Sequence, residues 1–323
     1  APLREVNELP PSPRALCRAL QIRTKASGPG SSRSPAAEYA ETRMSALDLK
    51  TGFASCPSGE KIAYAWTGSG PPLVMVPGWL THVHELWSHP AAASALAAFA
   101  GNHRFVWYDR LGSGLSDRDR TSVSVEDDAS QLIAVLDDLN IDRVDLIGYS
   151  LGGPTAIEFS VRNPERVNHL VLYASFARGA DLAEAELMDA FVAMVRSGWH
   201  VASSSLAAVF LPEGTGEDLR WFARFQRIAA SPQLAADLLE YQRDLDVREL
   251  LTDIRVPTTV VSPAVGQLIT MDRARELAAG IPGARLVTVE GKTHDPFIRD
   301  VGDVVEAILA SVEGRSQARR EAP

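Results

Sequence analysis

Ser150 stands in Gly148-Tyr149-Ser150-Leu151-Gly152-Gly153, between an apolar run, Val144-Asp145-Leu146-Ile147, and a helix-like stretch, Pro154-Thr155-Ala156-Ile157-Glu158-Phe159. Glycines two residues to either side of a serine suit a strand that turns sharply into a helix, because a Cβ there would crowd the bend. Such a turn lifts the hydroxyl clear of the sheet. It aims the hydroxyl at the helix N-terminus, where backbone N–H groups point outward. Ser150 is therefore a candidate nucleophile; the bland alternative is a plain Gly-rich turn.

A serine hydroxyl is a weak nucleophile without a base. His294, in Glu290-Gly291-Lys292-Thr293-His294-Asp295-Pro296-Phe297, comes late in the chain and is the candidate base. Charge developing on an attacked carbonyl oxygen needs two backbone donors, each worth about 3 kcal/mol in the transition state. The N–H of Leu151 is one candidate. The N–H of Trp79, after Pro77-Gly78, is the other. An acid that orients the imidazole belongs just past the apolar run at 258–261. That stretch, Ser262-Pro263-Ala264-Val265-Gly266-Gln267-Leu268-Ile269-Thr270, holds no carboxylate. Asp181, in the loop after 169–173, is the candidate substitute. Asp295 adjoins His294, but neighbouring side chains on an extended loop diverge. His82, His84 and His89 cluster after Trp79 without the Cys or carboxylate partners of a metal centre. Neither metal nor cofactor is expected, and one of these histidines is a candidate to face a substrate.

These residues need a sheet to hold them. Strands are expected over 61–66, 73–76, 104–108, 144–147, 169–173, 257–261 and 284–289, and helices over 125–139 and 300–312. The run 73–76 is wholly apolar, as in a central parallel strand. Strands alternating with helices imply an α/β fold whose parallel sheet is covered on both faces. From 181 to 251 the alternation stops. Phe191, Met194, Trp199, Phe210, Trp221, Phe222 and Phe225 fall in a helical stretch, which reads as a cap inserted between strands.

The expected organisation is a flexible arm or linker over 1–43, rich in Pro, Gly and Ser. A core follows over 44–180, with the cap over 181–251. The second part of the core covers 252–314, and a disordered tail 315–323. Apolar residues make up 46% of the 323, enough for a large core. A net charge of −9 argues against a nucleic-acid surface. Two cysteines, Cys17 and Cys56, make no disulfide framework, no run is long enough to span a membrane, and Ala1–Glu5 lacks a signal pattern. A cytoplasmic monomer or homodimer acting on a small acyl substrate is expected.

The chain from about Phe53 to Val312 resembles the α/β-hydrolase superfamily. It is most similar to the hydrolase domains found alone or fused to adenylate cyclases and bacterial transcriptional regulators. The stretches that carry the likeness are Gly68-Ser69-Gly70-Pro71-Pro72-Leu73-Val74, Tyr108-Asp109-Arg110 with Gly112-Ser113-Gly114-Leu115-Ser116-Asp117, and Gly148 through Gly153. Ser175-Phe176-Ala177-Arg178-Gly179, Asp244-Leu245-Asp246-Val247 and Ile281-Pro282-Gly283-Ala284-Arg285 complete it. The resemblance implies a mostly parallel eight-stranded sheet, helices on both faces and an inserted helical cap. It implies hydrolysis of an ester, thioester or lactone, with Ser150 as nucleophile and His294 as base. Members usually carry Asp where this chain has Gly266, and often His-Gly where it has Pro77-Gly78. Three readings stay open: Asp181 replaces the acid, a Ser-His dyad suffices for a reactive ester, or the domain binds a ligand without turning it over. Acyl transfer or cofactor-free oxygenation on the same fold is a weaker option. If Gly266 is simply a lost acid, restoring Asp there raises ester hydrolysis by orders of magnitude.

Overall fold

The computed structural model describes residues 48–120, 123–291, 294–295, 297–298 and 301–321. The arm expected over 1–43 lies outside the described residues. Eight strands form one sheet: β1 Lys50–Ser55, β2 Lys61–Thr67, β3 Pro72–Val76, β4 Arg104–Tyr108, β5 Val144–Tyr149, β6 Val167–Tyr173, β7 Thr258–Pro263 and β8 Arg285–Val289. Their order is β1-β2-β4-β3-β5-β6-β7-β8. β2 pairs antiparallel with both β1 and β4, and every other neighbouring pair is parallel. The central strands are buried at all but one residue each, as strands covered on both faces are. β1 was not foreseen as a strand. It is an edge strand in which only Ala54 is buried, so its sequence carries little periodic signal.

The helices are α1 Pro90–Ala100, α2 Val125–Asp138, α3 Gly152–Arg162, α4 Ala185–Ser197, α5 Trp199–Phe210, α6 Gly216–Ala229, α7 Pro232–Asp244, α8 Met271–Gly280 and α9 Val301–Glu321. The crossover from β3 to β4 runs one way along the sheet, and the crossover from β4 to β5 runs back. Right-handed connections then place α1 and α2 on opposite faces. α9 packs on α1, and α3 packs on α2. α4 to α7 all fall between β6 and β7, where the alternation of strand and helix was expected to stop. α9 runs on to Glu321, across most of the stretch expected to be a disordered tail. The physical reason is local: Gln317-Ala318-Arg319-Arg320-Glu321 consists of strong helix formers that prolong a helix already nucleated. No helix among the described residues is long and apolar enough to cross a membrane.

The reversal of strand order leaves a crevice at the C-terminal ends of β3 and β5. Loops leaving these strands diverge there, and open parallel sheets bind ligands at that point.

Candidate active site

Ser150 follows the last residue of β5 and adopts φ 51°, in the left-handed region. A residue with a Cβ holds that conformation only when its surroundings fix it. They do: the Ser150 N–H donates to the Tyr173 carbonyl at the end of β6 (3.0 Å). Its own carbonyl accepts from the Gly153 N–H (2.9 Å) and from Ser175 Oγ (2.9 Å). The flanking glycines are forced by packing. A Cβ on Gly148 would sit 2.8 Å from Gly153 Cα, and one on Gly152 would lie 2.6 Å from the Pro77 carbonyl oxygen.

His294 Nε2 lies 2.9 Å from Ser150 Oγ, and both side chains are buried. The chain brings together the two residues that were 144 positions apart in sequence. The imidazole packs against two rings, Tyr149 at 5.6 Å and Phe210 at 5.5 Å between centroids. Burial drives its pKa down to about 3, and no charged group counters that shift.

No carboxylate is hydrogen-bonded to His294 among the described residues. Asp181 does not fill the role foreseen for it. Its carboxylate pairs with Arg178 and, at 2.9 Å, with Arg273, in the short turn after β6. Gly266 is not a simple deletion of an acid either. A Cβ at that position would run into the Ile269 carbonyl oxygen, so the loop after β7 is closed around a bare backbone. Asp295 is buried beside the dyad but turns elsewhere. It accepts the Phe297 N–H (2.8 Å) and the Tyr149 phenol, and burial raises its pKa to about 6.

Leu151 occupies the N-cap of α3, directly after Ser150, and Trp79 follows the Pro77-Gly78 turn at the end of β3. A residue with no assigned role in the sequence holds this turn. Arg110, fully buried after β4, donates to the carbonyls of Gly78 (2.6 Å), Trp79 (3.2 Å) and Pro77 (3.2 Å). Its charge is met by Asp128 at 2.8 Å, which also takes Arg120 at 2.7 Å. The neighbouring Asp109 is buried too, accepting from the N–H groups of Val83 (3.1 Å) and Leu115 (2.8 Å). Arg110 lies in a quoted stretch, Tyr108-Asp109-Arg110, but nothing in its spacing discloses which carbonyls it serves.

The helices between β6 and β7 close the crevice. Phe210, the last residue of α5, stacks on Trp79 (5.4 Å) and packs on Phe222 (5.6 Å) besides His294. A cavity of about 30 Å³ remains among these rings, with Trp79, Tyr149, Phe210, Phe222, Gln226 and Asp295 in its lining; Ser150 and His294 do not border it themselves, but their chain neighbours Tyr149 and Asp295 do. It has room for one or two waters. α6 docks on the segment after Trp79. Trp221 Nε1 donates to Ser88 Oγ (3.1 Å), His89 Nε2 to Asp218 (3.2 Å), and Arg224 pairs with Glu85.

The three histidines after Trp79 are otherwise engaged. His84 meets Thr51 Oγ1 at 2.8 Å, and His82 Nδ1 accepts the Glu85 N–H at 3.2 Å. His89 caps α1 as well as reaching Asp218. None of them is among the residues lining the cavity of about 30 Å³. No group of three potential metal ligands occurs among the described residues.

Residues 71–301 match the family described as alpha/beta hydrolase fold. The chain is 30% identical over 210 residues to a putative carbamate hydrolase, RutD, of Azorhizobium caulinodans, covering 62% of this chain and 77% of that protein. Its fold is similar to the esterase EaEST of Exiguobacterium antarcticum, with TM-score 0.73 and 23% identity over 82% of this chain and 100% of the other. It is also similar to the enol-lactonase of Burkholderia xenovorans LB400, with TM-score 0.69 and 22% identity over 81% and 100%. With the family match extending from β3 to the start of α9, the chain belongs to the α/β-hydrolase family.

Proposed function

We propose that this protein is a serine hydrolase of carboxylesterase type that cleaves esters, thioesters or lactones through a Ser150–His294 dyad. The single observation that carries this is the 2.9 Å contact between His294 Nε2 and Ser150 Oγ, at a serine held in a left-handed turn. Ser150 Oγ attacks the acyl carbon while its proton passes to His294 Nε2. The carbonyl oxygen becomes an oxyanion, held by the N–H groups of Leu151 and Trp79. His294 returns the proton to the departing alkoxide, thiolate or ring oxygen, leaving Ser150 acylated. Water then attacks the acyl group, gives its proton to His294, and the acid leaves as Ser150 regains a proton. The similarity to a putative carbamate hydrolase supports an electrophilic acyl carbon.

Among the described residues the imidazole packs on Tyr149 and Phe210 and no carboxylate is bonded to it. An imidazolium stabilised only by such rings suits esters with good leaving groups. Incubation with a fluorophosphonate probe tests the proposal: Ser150 is labelled in the folded protein and Ser150→Ala is not. p-Nitrophenyl acetate is hydrolysed by the wild type and not by the variant. Absence of labelling in folded protein refutes the proposal.

A second reading, a domain that binds its ligand without turnover, is favoured by one observation: the loop at Gly266 leaves no room for the usual acid. Turnover that disappears with Ser150→Ala eliminates it.

A further inference from the structure

The cavity among these rings is mostly apolar, with Met75, Leu86 and Phe225 among its walls. Polar side chains interrupt it at Thr81, Gln226 and Asp295, together with the Trp79 indole N–H and the Tyr149 phenol. Gln226, on α6 and fully buried, donates through Nε2 to the carbonyls of Ser203 (2.9 Å) and Phe222 (3.3 Å). Those two acceptors fix the amide's orientation, because a flipped amide would set carbonyl against carbonyl. Gln226 Oε1 is thereby left buried with no partner among the described residues. The indole N–H of Trp79 is also buried and has no partner among them. Both residues line this one cavity. A buried acceptor and a buried donor left open both destabilise the fold, and native proteins rarely keep them without a use.

A hydroxyl answers both. Its O–H donates to Gln226 Oε1, and its oxygen accepts from Trp79 Nε1. Both groups belong to residues that border the same space of about 30 Å³. Asp295 also lines the cavity, with its carboxylate already engaged by Phe297 and Tyr149. An anionic acyl tail would be repelled there, whereas a neutral hydroxyl would not.

We propose that Gln226 Oε1 and Trp79 Nε1 form a polar subsite that selects esters of short hydroxy acids, two or three carbons long. The proposal rests on Ser150 being the group acylated, and it names the substrate class of that site.

p-Nitrophenyl hydroxyacetate and p-nitrophenyl propionate differ by a hydroxyl in place of a methyl at nearly equal size. For each enzyme, the ratio of their kcat/KM values is divided by the ratio of their rates with hydroxide, which removes intrinsic reactivity. The wild type is expected to favour the hydroxyacetate by about tenfold or more. Gln226→Met, which keeps the length but not the acceptor, is expected to lose most of that preference. Trp79→Phe, which keeps the ring stack and the backbone N–H, is expected to do the same. A folded variant of either kind with unchanged preference overturns the proposal.

Binding of methyl hydroxyacetate and methyl propionate to Ser150→Ala, measured by calorimetry, separates subsite from chemistry. Tighter hydroxyacetate binding alongside absent wild-type turnover refutes the hydrolase and supports the subsite. Turnover of both p-nitrophenyl esters without discrimination supports the hydrolase and overturns the subsite. Binding of neither methyl ester overturns the subsite.

Discussion

Arg110 donates to the Gly78 carbonyl at 2.6 Å, and through Pro77 and Trp79 it holds three successive carbonyls of the turn that ends β3. A planar guanidinium presents several donors in one fork, which an ammonium cannot reproduce. Arg110→Lys is expected to keep the charge opposite Asp128 but let the Trp79 amide wander. The expected result is a fall in kcat of about 10- to 100-fold with little change in KM, as for a donor used in the transition state. Steady-state kinetics with p-nitrophenyl acetate, beside a circular dichroism spectrum, decide this. Unchanged kcat in a folded variant would remove Arg110 from the oxyanion argument.

The pKa of His294, pressed down to about 3 by burial, predicts an unusual pH profile. A solvated histidine base gives an inflection in kcat/KM near 6.5. Here the imidazole stays neutral far below that, so kcat/KM is expected to stay level from pH 8 to about 5. An inflection between 6 and 7 would mean that the ring has a charged partner or open water.

The same burial sets opposite stability trends. Unfolded, His294 takes up a proton near its ordinary 6.5; folded, it does so only near 3, so stability is lost as pH falls across that interval. Asp295 is raised from 3.8 to about 6, so the folded chain keeps a proton that the unfolded chain has lost. Its contribution is lost as pH rises through about 6. Asp295→Asn is therefore expected to be more stable than the wild type at pH 8, by about 1–3 kcal/mol, and to lose that advantage at pH 4. Denaturant titrations at the two pH values measure it.

Gly266→Asp is expected to destabilise by about 2–4 kcal/mol and to yield no gain in ester hydrolysis, because its Cβ meets the Ile269 carbonyl. A large gain would show that the loop opens readily and that a lost acid is the whole story. Asp181→Asn is expected to leave hydrolysis within about twofold and to cost at most about 1 kcal/mol, since its ion pairs are partly exposed.

Phe210→Ala takes away the ring shared by Trp79, Phe222 and His294. A cost of about 3–5 kcal/mol is expected from the cavity. Acyl-chain preference is expected to move toward longer esters, read from kcat/KM across acetate, butyrate and hexanoate. Preference that stays with acetate would mean that other walls set the chain length.

The sheet was legible because β3, β5 and β6 are short, mostly buried runs dominated by apolar residues. The elbow was legible because Gly148, Gly152 and Gly153 tolerate no Cβ where they sit. His294 could be placed from its late position alone. Other parts depend on contacts between distant segments, which leave no local pattern. Arg110 reads as an ordinary arginine until its three carbonyls are in view. Asp181 looked available because sequence does not display Arg178 and Arg273 closing on it. Gly266 reads as an absent side chain, whereas the Ile269 carbonyl makes it an occupied corner. β1 escaped because an exposed edge strand has no apolar face to betray it.

The segment from Pro77 to His89 carries Trp79 at one end and the docking points for α6 at Glu85, Ser88 and His89 at the other. In the proposed mechanism, admission of a molecule and stabilisation of its reacting oxygen are governed by a common stretch of backbone. A mutation that loosens the entrance also perturbs the amide near the developing charge. Breadth of substrate range and speed of reaction are thus tied together in this molecule, and improving one by changes in that stretch will tend to erode the other.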